Sequence, residues 1–373
     1  MIEHIRLSNF KVSKNINLPI AALTVLAGLN GAGKSTSLQA LALLRQSYEK
    51  SGNTAILALA GSLVRLGEGE DILSETALTD QVTLKIIENG KPYTWEFEAR
   101  SQNKQLNVIN PPDVAPFLYN KNFQFLQADR ITPKTLFPQS NVQNEFLGVG
   151  GEYTIDYLSR YGDQIVVNEM RCASLSNTIP DELISKIAST SRLNDQVAAW
   201  LQFLSPGVRL KLDRIKGTDD VQLQFNYVSH VHDLNQNRRP TNVGFGLTYS
   251  LPIIVACLAS PKGSLLLLEN PEAHLHPRGQ AALGELLARC AADGVQIIVE
   301  THSDHLLDGI RLATKNSLIQ ANQVAMHFFT RSYETGDANV ASPKMHQNGK
   351  LDFWPDGFFD QALKNSALLA RRS

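Results

Sequence analysis

The chain has 373 residues, of which 43% are hydrophobic and 19% are charged. This length is enough for two or three domains with a large buried core. Lysine and arginine together number 35 against 36 aspartates and glutamates, so no overall positive charge attracts the chain to nucleic acid. The 3 cysteines form no CxxC pair, which argues against a disulfide framework and against a cysteine zinc site.

The sequence gives no sign of a membrane or secretory segment. The first residues lack the charged-then-apolar layout of a signal peptide. The longest apolar stretches, at 55–60 and 251–259, are shorter than the roughly 20 residues that a membrane helix needs. We therefore expect a cytoplasmic protein with no membrane partner.

Hydrophobic patterning in the first third of the chain predicts alternating strands and helices. Strands are expected at 2–7 and 23–27, followed by a helix that begins near Ser35. A β-hairpin is expected over 81–98, because two alternating runs flank Asn-Gly, a strong two-residue turn signal. The Pro- and Asn-rich stretch 110–138 is expected to be irregular.

The rest of the chain predicts mixed structure and then a return to α/β texture. Residues 181–204 carry apolar positions at helical spacing, and alternation predicts strands at 208–212 and 221–225. Short apolar runs at 265–268 and 295–299 are typical of strands buried in a parallel sheet. One α/β core with a large insertion at about 135–240 accounts for this order.

Residues 28–35 read Gly-Leu-Asn-Gly-Ala-Gly-Lys-Ser and match the P-loop pattern G-x-x-x-x-G-K-[ST] in full. The glycines let the backbone wrap an anion, so that N–H groups and a helix N-terminus point at phosphate oxygens. Lys34 is expected to reach the β- and γ-phosphates and Ser35 to ligate Mg²⁺. A glycine-rich turn without a ligand is disfavoured, because motif and context agree. The predicted nucleotide-binding residues of the loop are Asn30, Gly31, Ala32, Gly33, Lys34, Ser35 and Thr36.

Polar residues also follow the two later apolar runs. Glu269 ends the first run, where a carboxylate can hold Mg²⁺ directly or through water, although it could instead cap a helix. His302 follows the second run and could contact a γ-phosphate or the attacking water, or be an ordinary turn histidine. Their order after an intact P-loop favours the nucleotide-binding interpretation.

Together these motifs resemble those of ATPases of the ABC superfamily, and most closely its SMC-like and OLD-like branch. The resemblance covers roughly 1–45, 120–135 and 240–330, plus the tail. Besides the P-loop, the similar segments are Asn-Phe-Lys at 9–11, Gln-Ala-Asp-Arg-Ile-Thr-Pro at 127–133, 244–249, 265–272, His-Leu-His-Pro at 274–277, Thr-His-Ser at 301–303, and 352–360, which is similar to a C-terminal module of unknown function.

The resemblance implies an ABC-type α/β nucleotide-binding core with a mixed sheet, a large inserted α+β lid or arm, and a short C-terminal cap. The implied N-terminal half of the core is 1–134, with the P-loop and the hairpin. The insertion is 135–240, the C-terminal half of the core is 241–330, and the C-terminal module is 331–373.

The resemblance also implies roles for single residues. Glu269 takes the place of the Walker B aspartate and His302 that of the switch histidine. Gln127 is the candidate Q-loop glutamine and, with Ser35 and Glu269, a candidate Mg²⁺ ligand, although the neighbouring Arg130 could equally be the functional side chain.

Two signature glycines, Gly244 and Gly246, are implied to donate N–H groups to ATP held by a second subunit, so that the complete site forms in a dimer. Tyr249 departs from the resemblance, because relatives often carry Gln at this signature position. Its presence leaves the contact across the dimer open.

The second departure concerns catalysis. The residue after the Mg²⁺ carboxylate is Asn270, where relatives carry a glutamate that polarises water. An amide can orient water but cannot accept its proton. Glu272 could substitute, or it could organise the following loop. We therefore hypothesise that hydrolysis is slow or needs a trigger.

The expected function is Mg²⁺-dependent ATP binding and hydrolysis by an ATPase that dimerises around ATP. By resemblance, such a protein acts in DNA repair or anti-phage defence beside a nuclease or another effector protein. A nucleotide-gated switch with negligible hydrolysis is the alternative, and a P-loop kinase is a more distant one. DNA stays open as a partner, because the basic residues Arg209, Lys211 and Arg214 are expected along one strand face, which simple solvation explains equally well.

Overall fold

A computed structural model describes residues 1–141, 147–176, 178, 180–228, 236–355, 357 and 369. The strands are β1 (Ile2–Phe10), β2 (Ser13–Pro19), β3 (Leu23–Gly28), β4 (Ile56–Ala58), β5 (Gln81–Glu88), β6 (Lys91–Glu98), β7 (Gln105–Asn107), β8 (Phe123–Leu126), β9 (Leu136–Pro138), β10 (Val208–Arg214), β11 (Asp220–Tyr227), β12 (Leu265–Glu269), β13 (Gln296–Glu300), β14 (Val324–Arg331) and β15 (Ala338–Ala341). The α-helices are α1 (Lys34–Ser51), α2 (Gly69–Ile72), α3 (Pro116–Tyr119), α4 (Thr154–Tyr161), α5 (Asp181–Ile187), α6 (Leu193–Leu201), α7 (Phe245–Ala259), α8 (Pro277–Ala292) and α9 (Asp304–Lys315). Of the predicted tail motif at 352–360, residues 356 and 358–360 lie outside the described residues.

The chain forms two compact units. Unit 1 comprises residues 1–121, 296–304 and 320–373, and unit 2 comprises residues 122–295 and 305–319. The division of the chain into core halves, insertion and C-terminal module, as expected from the sequence, stays a prediction. No helix within the described part of the chain has both the length and the hydropathy needed to cross a bilayer.

An antiparallel sheet in unit 1 has the strand order β2-β1-β5-β6. The predicted hairpin is confirmed, since β5 and β6 pair from Gln81↔Glu98 to Glu88↔Lys91. Its turn residues Asn89 and Gly90 have φ of 51° and 74°. Positive φ at both central residues is the backbone of the type I′ turn that Asn-Gly favours.

A second group of strands in unit 1 forms a mixed sheet around β3. Both β13 and β14 run parallel to β3, and β15 pairs antiparallel with β14. Every residue of β13 is buried, and so are the first five of β3, which explains why these strands read as continuous apolar runs. The structure thus confirms the predicted α/β fold with a mixed sheet, and β3 leads directly into the P-loop.

Unit 2 contains a parallel pair and a small antiparallel sheet. β12 runs parallel to β8, with Leu265 opposite Phe123, and the antiparallel sheet has the order β10-β11-β9. The prediction of an irregular 110–138 is therefore wrong at α3, β8 and β9. All four residues of β8 are buried, but the strand is too short to dominate the surrounding Pro- and Asn-rich pattern.

The helical spacing over 181–204 corresponds to two helices, α5 and α6, with a break at 188–192. The Thr190 backbone N–H donates to Asp195 Oδ2 over 2.9 Å, and the Thr190 hydroxyl donates to the same oxygen over 2.6 Å. Side-chain bonds of this kind compete with helix formation. The break therefore lies in a Ser-Thr-Ser segment that periodicity alone does not detect.

Candidate nucleotide-binding site

The backbone of the P-loop needs glycine at two positions. Gly28 has φ of 140°, and a Cβ there would lie 2.2 Å from the carbonyl oxygen of Phe329 on the neighbouring strand β14. Gly33 has φ of 100°, and its Cβ would lie 2.7 Å from Val12 Cγ2. Conformation and space both exclude a side chain, so these two motif glycines shape the loop.

Lys34 is 3% exposed and lies within the loop. Its ammonium group donates to the carbonyl oxygens of Gly28, over 3.0 Å, and Leu29, over 2.8 Å. The Nζ atom also lies 3.8 Å from Glu300 Oε1. A buried ammonium group is tolerated only with such partners, so the loop and Glu300 hold a positive charge where phosphate is expected.

Sequence reasoning assigned no role to Glu300, which is 5% exposed at the end of β13. It is paired in register with Leu26 of β3, and this register brings its carboxylate to the P-loop lysine. The sequence did contain a signal for Glu300, because an acidic residue that ends a buried strand and directly precedes Thr-His-Ser lies next to a predicted site residue. Glu300 joins the candidate site as the counter-charge of Lys34.

The other P-loop residues divide between the solvent side and the core side. Asn30 and Gly31 are exposed, whereas Ala32 and Thr36 are buried and Ser35 is half-buried. Ser35 stands in the first turn of α1, where helix N–H groups and the helix dipole favour an anion. Its hydroxyl is a hard oxygen donor of the kind that Mg²⁺ accepts.

His302 lies just after β13, with part of its side chain in solvent. Partial burial lowers its pKa below the ordinary 6.5, and the nearby positive charge of Lys34 lowers that pKa further. The backbone N–H of the preceding Thr301 donates to Leu26 O over 3.0 Å. Unit 1 thus brings the P-loop, Glu300 and His302 together, and His302 is neutral near pH 7.

In unit 2 a buried arginine joins the predicted Q-loop and Walker B segments. Arg130 is 3% exposed. Its guanidinium group donates to the carbonyl oxygens of Gln127 over 2.8 Å, Glu269 over 2.5 Å and Asn270 over 2.7 Å. The Ala128 N–H donates to Glu269 Oε2 over 3.1 Å. From the sequence, either Gln127 or Arg130 could be the functional side chain of this region. In the structure the Arg130 side chain holds the two segments in position through their backbone carbonyls.

The residues after Glu269 have unusual surroundings. Asn270 has φ of 43°, a left-handed conformation that asparagine tolerates better than most residues. Its Oδ1 is buried without a hydrogen-bond partner among the described residues. Glu272 is 7% exposed. Glu272 is therefore buried, whereas Asn270 is half-buried with its Oδ1 atom out of contact with solvent.

The signature segment begins α7. Gly244 is exposed at the N-cap of that helix. A Cβ on Gly246 would lie 2.6 Å from the carbonyl oxygen of His274, so that only glycine fits there. The Tyr249 hydroxyl donates to Ala128 O, and the Arg130 guanidinium lies 4.3 Å from the centre of the Tyr249 ring. The Tyr249 side chain therefore contacts other residues of unit 2.

The predicted basic strand face is wrong at one position. Arg214 Nη2 lies 2.8 Å from Asp156 Oδ1, and that carboxylate is 2% exposed on α4. Arg214 has the opposite strand parity to Arg209 and Lys211 and faces the helix. Lys211 in turn lies 3.4 Å from Asp213, so little unbalanced positive charge remains along β10.

Comparison with known proteins gives two family matches. Residues 175–308 match the model of a family described as "AAA domain, putative AbiEii toxin, Type IV TA system". Residues 319–369 match "Protein of unknown function (DUF3696)". The first match includes Glu269 and His302 but not the P-loop. No curated protein matches the chain.

Comparison with solved structures finds similarity to SMC heads. An SmcHead bound to the C-winged helix domain of ScpA is 14% identical with a TM-score of 0.48, over 92% of this chain and 98% of that one. The SMC head domain from Thermotoga maritima is 14% identical with a TM-score of 0.45, over 91% and 98%. The Pyrococcus furiosus Smc head with an extended coiled coil, bound to the C-terminal domain of ScpA, is 12% identical with a TM-score of 0.47, over 99% of both chains.

The sequence-based recognition of an ATPase with a C-terminal module of unknown function agrees with the two family matches. The complete P-loop motif follows β3 in a mixed sheet, and the strand and histidine segments expected of the same site lie in the AAA match. The chain is therefore similar over residues 175–308 to an AAA domain with AbiEii-like description and over residues 319–369 to DUF3696, and residues 319–369 are called the DUF3696 segment below.

Proposed function

We propose that this protein is an Mg²⁺-dependent ATPase that binds ATP at residues 28–35 and hydrolyses it to ADP and phosphate. The arrangement of Lys34 is the observation that carries the proposal. Its buried ammonium group lies at the loop carbonyls and at the Glu300 carboxylate. Phosphate oxygens supply negative charge and hydrogen-bond acceptors, so a nucleotide can take over contacts that the loop now makes.

In this proposal each residue of the site has its own chemical role. Loop N–H groups and Lys34 stabilise charge on the β- and γ-phosphates. Mg²⁺ neutralises further phosphate charge, with Ser35 and Glu269 as ligands and Gln127 as a third candidate. Neutral His302 can hydrogen-bond the γ-phosphate or the attacking water. Glu300 holds Lys34 in place and counters its charge.

Binding is tested by isothermal titration of Mg-ATP into the wild type, Lys34→Ala and Lys91→Ala. Lys91 is a matched control, because it is an exposed lysine with a surface ion pair to Asp113. We expect Lys34→Ala to weaken ATP binding at least tenfold, and Lys91→Ala to leave it unchanged. Equal affinity in all three proteins would contradict binding at the P-loop.

We also propose that two chains close around ATP, with Gly244 and Gly246 contacting the nucleotide of the partner. The exposure of Gly244 supports access by a second chain. In a variant that binds ATP but hydrolyses it slowly, such as Glu269→Gln, light scattering should show a dimer with Mg-ATP and a monomer without it. A monomer under both conditions would contradict this part of the proposal.

A nucleotide-gated switch with negligible hydrolysis is the second candidate, and Asn270 is the observation that favours it. An amide after the Mg²⁺ carboxylate cannot take the proton of the attacking water. If Glu272 performs that step, Glu272→Gln should lower turnover far more than Asn270→Ala. If neither substitution changes turnover, the hypothesis of slow or triggered hydrolysis at these residues fails.

For the biological setting we propose a cytoplasmic ATPase subunit that acts with a nuclease or another effector in DNA repair or anti-phage defence. The AbiEii-like family match supports a defence setting. Affinity capture of the tagged wild type with ATP, against Lys34→Ala, tests whether a protein partner depends on the nucleotide. Turnover measured with and without duplex DNA tests whether DNA is the trigger.

A further inference from the structure

A cleft of about 200 Å³ in unit 1 combines residues of the N-terminal region with residues of the DUF3696 segment. Lys11, Asp71 and Thr76 line it from the first region, and Arg331, Thr335 and Asp337 line it from the second. The volume is below the roughly 300–1,000 Å³ of pockets that enclose a whole drug-sized ligand. The cleft therefore suits one part of a larger ligand.

The cleft adjoins the P-loop through Val12. Val12 lines the cleft and is also the residue whose Cγ2 lies 2.7 Å from a Cβ built on Gly33. The carbonyl oxygen of Val12 accepts the N–H of Ala338 over 2.9 Å. The Ala338 methyl group lies 3.4 Å from the same Gly33 position. Strand β15 of the DUF3696 segment is therefore packed against the loop that is proposed to hold phosphate.

The two halves of the cleft are connected by polar contacts. The Thr76 hydroxyl donates to Asp337 Oδ1, and Arg331 Nη2 lies 4.0 Å from Glu75 Oε2. Arg331 Nε also donates to the carbonyl oxygen of Gly336 over 2.7 Å. These contacts set the DUF3696 turn, residues 332–337, as one wall of the cleft.

The charges in the cleft argue against a second phosphate and for a neutral polar ligand. Lys11 and Arg331 provide two positive groups, while Asp71, Glu75 and Asp337 provide three negative ones. A cleft with this excess of negative charge repels an anion, but it supplies hydrogen-bond donors and acceptors close together. A purine base with its ribose needs both kinds of partner, and it is attached to the phosphates that the P-loop would hold.

We propose that this nucleoside cleft receives the base and ribose of the bound nucleotide, and that Arg331 and Asp337 make the DUF3696 segment part of nucleotide recognition. The inference rests on the proposed function, because it assumes a nucleotide at the P-loop. It assigns a binding role to a segment whose family description gives none.

The test compares two ligands by calorimetry, Mg-ATP and inorganic tripolyphosphate, which has the phosphates without the nucleoside. Removal of one charged hydrogen-bond partner costs enough to weaken ATP binding about tenfold, so we expect that loss in Arg331→Ala and in the isosteric Asp337→Asn. Tripolyphosphate affinity should stay within about twofold of the wild type, since its contacts lie at the P-loop. Lys34→Ala should weaken both ligands.

Arg100→Ala is the matched control, because Arg100 is an exposed arginine of unit 1 with one surface ion pair, to Asp80 at 3.0 Å. It should leave both affinities unchanged. Unchanged ATP affinity in Arg331→Ala and Asp337→Asn would overturn the nucleoside cleft while the P-loop site stands. An equal loss for both ligands would overturn it as well, by showing that the substitutions act through the loop. If the wild type binds neither ligand, the proposed function itself fails.

Discussion

Replacing Arg130 by methionine tests whether one buried side chain holds the Q-loop and Walker B segments together. The guanidinium group is 3% exposed and donates three hydrogen bonds, to the carbonyl oxygens of Gln127, Glu269 and Asn270. Methionine retains much of the length and the apolar stem but none of the donors. The substitution therefore isolates the hydrogen bonds from the packing.

The expected loss follows from two opposing quantities. Three hydrogen bonds from a charged donor contribute about 1.5–3 kcal/mol each. Methionine avoids the cost of burying a charge, which amounts to several kcal/mol and is also the reason why burial lowers the pKa of Arg130. We expect the free energy of unfolding of Arg130→Met to be about 3 kcal/mol lower than that of the wild type. At about 2–4 °C per kcal/mol, its melting temperature should fall by about 6–12 °C.

Differential scanning fluorimetry of Arg130→Met, Arg209→Met and the wild type measures this loss. Arg209 is exposed on β10, so its replacement should change the melting temperature by less than about 2 °C, as surface substitutions usually do. An Arg130→Met protein that melts within about 2 °C of the wild type would refute the positioning role of Arg130.

Three further predictions concern the loop and two histidines. Gly33→Ala forces a Cβ to within 2.7 Å of Val12 Cγ2 at a φ of 100°, so ATP affinity in calorimetry should drop at least tenfold, and wild-type affinity would contradict the loop geometry. Because partial burial, together with Lys34, lowers the pKa of His302 below 6.5, turnover should stay level from pH 8 to pH 6.5 and fall only below that, and His302→Gln should lose this acid limb. Burial lowers the pKa of His327 in the folded protein. As the pH falls below 6.5, the unfolded chain therefore binds a proton at His327 before the folded protein does, and the free energy of unfolding should drop by up to about 1.4 kcal/mol per pH unit. Urea unfolding at pH 7.5 and 5.5 should show a smaller drop in His327→Asn, and an equal drop would count against the assignment.

Sequence patterns predicted those parts of the fold whose causes are local. The Asn89-Gly90 hairpin and the strand-loop-helix of the P-loop depend on backbone conformations that the residues themselves dictate. β8 was missed, because a four-residue buried strand is specified by its pairing with β12 rather than by its own pattern. Glu300 and Arg130 act through partners distant in the sequence, Lys34 and Glu269, which no spacing rule connects.

The most direct test of the central claim is ATP turnover with Mg²⁺ by the wild type and Lys34→Ala. We predict steady phosphate release by the wild type and a loss of at least about a hundredfold in Lys34→Ala, as for removal of one group that stabilises transition-state charge. Equal turnover by both proteins would show that any hydrolysis arises elsewhere. An absence of turnover in the wild type, with ATP still bound, would contradict the ATPase and establish the nucleotide-gated switch in its place.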